Sequence, residues 1–120
     1  MILEAVLLNI KNGLDNDFES SFTKASKIIS SVNGYLSHEL HKCLEAESRG
    51  IKGVRVPLAL PELFKRVEGK YLLLIKWKTL ADHTVGFRSS PEYQEWKKLL
   101  HHFYEPFPTV EHFKKVELQY

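Results

Sequence analysis

A chain of 120 residues holds one domain, and its 43% hydrophobic and 27% charged fractions are those of a folded protein rather than a disordered one. Its formal net charge of +2 is spread along the sequence with no basic stripe, which argues against nucleic acid as a partner. No apolar run approaches the roughly 18 residues of a membrane span, no basic-then-apolar leader opens the chain, and Cys43 is its single cysteine, which excludes an intrachain disulfide. These features predict a small cytoplasmic protein that binds no membrane.

Ile2 to Ile10 is apolar except for Glu4 and Asn9 and ends at the turn Lys11-Asn12-Gly13, so it reads as a buried strand. Phe18, Phe22, Ala25, Ile29 and Val32 recur at helical spacing, with Asp15 and Asp17 at the dipole-favoured start and Asn33-Gly34 as the stop; the expected helix covers 15–32. Tyr35 to Glu45 alternates, placing His38 with Leu36, Leu40 and Leu44 on one face and Tyr35, His41 and Cys43 on the other. Tyr71 to Trp77 is apolar on both faces, the pattern of a buried strand. Thr79 to Asp82 resembles a capping box that opens a short helical piece, Leu80 to Arg88. Ser90-Pro91 then restarts a helix that runs to about Tyr104, where Pro106 and Pro108 stop it. Thr109 to Leu118 alternates again as a fourth strand.

The order β-α-β, β-α-β predicts an α+β, ferredoxin-like βαββαβ domain with a four-stranded antiparallel sheet and both helices on one face. Two helices cover one face only, yet the first and third strands are apolar on both. A second copy packed sheet to sheet about a two-fold axis is the simplest cover, so a homodimer is expected. Between the second and third strands, Arg49 to Lys70 holds three of the six glycines. It reads as an inserted arm at about 50–70, with Leu60, Leu63, Phe64 and Val67 as an apolar stripe.

The stretch from Leu73 through Trp77-Lys78-Thr79 into Asp82-His83-Thr84-Val85-Gly86-Phe87-Arg88-Ser89-Ser90-Pro91-Glu92-Tyr93 closely resembles the antibiotic biosynthesis monooxygenase family. So do Leu100 to Phe113 and the opening strand with its turn. The resemblance implies a dimeric α/β barrel. It also implies chemistry from a group in which some members oxygenate aromatic polyketides or quinols without metal or flavin and some relatives degrade haem. The haem-degrading branch uses a Trp and a His on its second helix. Those positions fall at Gly86 and Trp96 here, and the histidines that many other members place around the Ser/Thr-Pro turn are Phe87 and Glu92.

Among the histidines, His83, His38 and His112 project from otherwise apolar faces, whereas His101 and His102 fall on the solvent flanks of their helix. His83 is therefore the candidate acid/base, since a histidine near its unperturbed pKa of about 6.5 exchanges protons at neutral pH. Asn9, His38, Phe87, Trp96 and His112 are candidate substrate contacts, and Arg88 reads as a helix-end charge or an anion contact. No metal-ligand spacing and no cofactor motif stand out, so neither a metal nor a cofactor is expected. Two functions fit: a cofactor-independent monooxygenase of a small aromatic or quinol-like molecule, or a non-catalytic barrel that binds a small apolar ligand or a protein.

Overall fold

The computed structural model describes residues 1–44 and 69–119. The arm expected at about 50–70, with its stripe Leu60, Leu63, Phe64 and Val67, lies outside the described residues apart from Gly69 and Lys70. Strand β1 (Ile2–Asn9) pairs along its whole length with β3 (Lys70–Trp77), from Ile2↔Trp77 to Asn9↔Lys70. On its other side it pairs with β4 (Val110–Lys114), and β2 (Tyr35–Lys42) closes the sheet beyond β3. All pairs are antiparallel in the order β2-β3-β1-β4, the ferredoxin-like α+β arrangement.

Helix α1 (Asp15–Ile29) buries Phe18, Phe22, Ala25 and Ile29, the stripe that its spacing predicts. It ends three residues earlier than expected, because Ser30 and Ser31 turn their hydroxyls back onto the Ser26 and Ile28 carbonyls. After β3, Thr79 and Asp82 cap each other reciprocally: each backbone N–H donates to the other's side chain at 3.1 Å. A π-helical turn, Asp82–Phe87, follows, and then helix α2 (Pro91–Leu100). Ser90 Oγ accepts the Tyr93 N–H and Pro91 occupies the first turn, as the sequence predicts.

Three expectations change. A bulge between Tyr35 and Ser37 breaks the alternation of β2, so Tyr35 and His38 meet on the helix side and Leu36 is exposed. Strand β4 stops at Lys114 rather than Leu118, because its only neighbour among the described residues is β1, and Ile2, the first residue of that strand, is already paired with Lys114. The second helix ends at Leu100, and His101–Phe103 forms a 3₁₀ turn, which changes the direction in which its side chains project.

Both helices lie on the face that carries Val6, Leu8, Tyr71, Leu73, Ile75 and Trp77, all buried. The opposite face presents Leu7 (47% exposed), Leu72 (37%) and Phe113 (48%). Gly34 joins the two halves. Its φ of +85° suits glycine alone, its carbonyl accepts Lys78 N–H at 2.8 Å, and an added Cβ would fall on the Asp82 carboxyl of the capping pair. Gly34→Ala should therefore cost about 2–3 kcal/mol, the sum of a left-handed backbone and a displaced cap. The urea midpoint of the variant checks this.

Candidate functional site

Alternation along β1 places Glu4 on the same inward face as Val6 and Leu8, and the residue is 5% exposed. A buried carboxylate needs donors, and two groups serve this one. Trp77 Nε1, from the far end of β3, donates to Glu4 Oε1 at 2.9 Å. His83 Nε2, from the π-helical turn, lies 3.3 Å from the same oxygen. The His83 ring stacks on the Trp77 indole with centroids 5.2 Å apart and planes inclined by 21°. Its other nitrogen, Nδ1, is 2.7 Å from His112 Nε2 on β4. One carboxyl, one indole and two imidazoles thus form a continuous chain across β3, β1 and β4.

Burial sets the protonation states. It raises the Glu4 carboxyl to about 7, against the pull of the Trp77 hydrogen bond and the Arg88 charge. It lowers His83 to about 3, with the positive charge of Arg88 and the neighbouring His112 adding to the effect. His112 moves down for the same two leading reasons, burial and Arg88. The sequence-based picture of His83 as an imidazole near 6.5 therefore changes: it is neutral at physiological pH, and Glu4 is the group poised there.

Above this chain lies a cavity of about 400 Å³, within the range of small-molecule sites. Val6, Leu8, Leu73 and Ile75 of the central strands form its floor, and Phe87, Tyr93 and Trp96 form one aromatic wall. Phe87 meets both other rings edge-on, at 5.2 Å and 5.8 Å between centroids. His101, Tyr104 and Phe107 continue the lining, with the His101 ring 6.1 Å from that of Tyr93 and 4.9 Å from that of Phe107. The polar lining is Glu4, His83, Arg88 and His101. The arrangement suits a planar molecule held between aromatic walls, with one end against an acid/base group.

The structure brings together His83, Phe87 and Trp96 at the cavity, with His112 directly behind His83. His38 and Asn9 lie elsewhere. The two ring nitrogens of His38 bond Tyr35 Oη and Ser26 Oγ, which ties β2 to α1. Asn9 sits on the opposite face of the sheet with Leu7, and its carbonyl accepts Glu105 N–H at 2.8 Å. His101, expected toward solvent, lines the cavity because the 3₁₀ turn redirects it. The residue that the sequence reading passed over is Glu4. Its signal was present: a charged residue in register with Val6 and Leu8 on a buried strand face.

No protein-family model matches the chain. The uncharacterized protein YczJ of Bacillus subtilis is 49% identical over 116 residues, which span 97% of this chain and all of YczJ. A solved structure from Bordetella bronchiseptica, grouped by name with the antibiotic biosynthesis monooxygenases, superposes with a TM-score of 0.74 at 25% identity over 97% of both chains. SnoaB, a cofactor-independent oxygenase from Streptomyces nogalater, has the same fold: TM-score 0.61, 14% identity, 98% of this chain and 94% of its own. The molecule is thus a small α+β protein with a partly open, aromatic-lined cavity between sheet and helices. It belongs to the antibiotic biosynthesis monooxygenase family.

The site carries a pH signature in stability. The unfolded chain ionises Glu4 near 4.5 and the folded chain only near 7, so the fold is favoured by this group below 4.5 and loses that contribution as pH rises through 7. His83 acts in the opposite sense, with a contribution present above 6.5 and lost as pH falls toward 3. Glu4→Gln removes only the first effect. Relative to the variant, the native chain should lose about 3 kcal/mol between pH 4 and pH 8, read from urea unfolding at each pH.

Proposed function

We propose that the chain is a cofactor-independent monooxygenase of a small, planar, hydroxylated aromatic or quinol-like molecule. The observation that carries this reading is the buried acid/base pair, Glu4 and His83, at one end of a cavity of matching size with aromatic walls. Kinship with a family whose fold neighbours include a cofactor-independent oxygenase supports it.

In this reading Phe87 and Trp96 hold the ring of the substrate, and Arg88 at the rim offers a positive charge to an oxygen of the substrate. The buried pair removes a proton from an acidic C–H or O–H position. The resulting anion is rich enough in electrons to reduce O₂, and a carbon–oxygen bond forms as a peroxide. Cleavage of the O–O bond leaves one oxygen as a carbonyl, while the second leaves as water with the two hydrogens the substrate gives up. The substrate supplies all the electrons, so no external reductant enters the balance. The protein contributes desolvation, orientation and proton transfer.

The same reading makes the working unit a two-fold homodimer. Leu7 and Leu72 are register partners at the centre of the open sheet face, and Phe113 extends the apolar patch on β4. Covering that face with a second copy would bury more than about 1,000 Å², the scale of a stable interface. Sedimentation should show a dimer at micromolar concentration, and Leu7→Glu should shift it toward monomer.

Oxygen consumption with a panel of hydroxylated anthrones, naphthols and quinols tests the activity. His83→Ala should lower the rate by about 10²–10⁴-fold with the fold retained, the usual cost of losing acid/base catalysis. Binding of these compounds without oxygen uptake would instead make the chain a non-catalytic carrier.

A further inference from the structure

Inward-facing histidines commonly serve as structural ties, and the partly buried His38 is one here, with each nitrogen bonded to a hydroxyl that can donate or accept. The chain from Glu4 to His112 differs in kind. Trp77 Nε1 only donates, so it fixes Glu4 Oε1 as an acceptor from that side in every state. The direction of the remaining hydrogen bonds then follows the charge on Glu4. When the carboxyl is ionised, His83 Nε2–H donates to it and His83 Nδ1 accepts from His112 Nε2–H. When the carboxyl carries a proton toward His83, Nε2 must accept it, so His83 Nδ1–H donates and His112 Nε2 accepts. The spacings of 3.3 Å and 2.7 Å connect both ends of the His83 ring. His112 stands on β4, an edge strand, and is only partly buried, with Nδ1 as its remaining nitrogen.

Resting on the oxygenase reading, we propose that Glu4 is the proton acceptor of the cavity and that His83 and His112 form a two-imidazole relay between it and the β4 edge of the sheet. Glu4 Oε1 is held by Trp77 and His83, which leaves Oε2 to take the substrate proton; a half-turn of the carboxyl then sets the protonated oxygen against Trp77 and His83. The carboxyl then passes a proton to His83 Nε2 as His83 Nδ1–H moves to His112 Nε2. His112, now protonated on both nitrogens, releases its Nδ1 proton to water. One proton leaves the cavity, Glu4 is again ionised, and both imidazoles end neutral in the opposite tautomer. They return to the starting tautomer by ring flips or by exchange with water, since a reverse hop would only carry the proton back to Glu4.

The charged and titratable surroundings fit this assignment. Arg88, after the π-helical turn, opposes a lasting positive charge on either imidazole and favours the ionised carboxyl. Tyr104, from beyond the 3₁₀ turn, is held neutral by burial, and His101 in the cavity lining is pushed down by burial and by Lys97. Neither competes with Glu4 for the proton near neutral pH. This placement also explains why a histidine that holds a proton poorly sits beside a carboxyl: its task is to transmit a proton.

Imidazole nitrogen shifts measured by NMR on ¹⁵N-histidine protein from pH 5 to 9 test the relay without any substrate. His83 and His112 should exchange tautomers together with a midpoint near 7, the value for Glu4, and both should hold a single tautomer in Glu4→Gln. Rings that keep one tautomer throughout in the native chain, or that switch equally in Glu4→Gln, overturn the proposal. With an oxidised substrate in hand, His112→Ala at the strand edge should lower kcat on the order of 10²-fold at unchanged KM and recover with added imidazole; full kcat without His112 also overturns the relay. A coupled tautomer switch in a protein that consumes no oxygen would reject the oxygenase reading and leave the acceptor and its relay standing.

Discussion

A carboxyl buried between two central strands is costly unless donors meet it, and that constraint organises this molecule. Glu4 is nearly buried at its place in β1, so Trp77 and His83 supply the partners that bulk water does not. Trp77 arrives by strand register, because Ile2↔Trp77 pairing sets the end of β3 beside the start of β1. His83 arrives through the π-helical turn, whose entry is clamped by the Thr79–Asp82 pair and by Gly34 beneath it. A local turn chemistry far from the cavity thus aims the imidazole at the carboxyl.

Two opposed effects of burial follow from this single contact. Desolvation raises the carboxyl to about 7 and lowers the imidazole to about 3, so the pair shares one proton that resides mainly on the oxygen side. Neither group alone has the usual affinity of its type. Together they form a carboxyl–imidazole pair whose affinities burial has moved in opposite directions, at a cavity lined by both aromatic and polar side chains.

The sheet divides its labour between its faces. One face is sealed by the two helices and by the aromatic walls that leave the cavity. The other carries Leu7, Leu72 and Phe113 with nothing of this chain above them among the described residues. Strands that are apolar on both sides are needed for this arrangement, and the same alternation that buries Leu8 exposes Leu7.

The element order, the antiparallel four-stranded sheet, the stripe of α1 and the caps at Thr79 and Ser90 were legible because each rests on local periodicity or on short-range hydrogen bonding. The inward direction of His83, Phe87 and Trp96 was legible for the same reason. The partnership of Glu4 with Trp77 and His83 was not, since it joins residues 73 and 79 positions apart and depends on strand register. Nor was the bulge that brings His38 to Tyr35, or the 3₁₀ turn that swings His101 to the cavity, because each breaks the regular period from which direction is read. Sequence by itself determined which faces are apolar and where helices begin; only tertiary structure decided which polar groups meet inside, because burial and long-range pairing, not residue type, set their partners and their proton affinities.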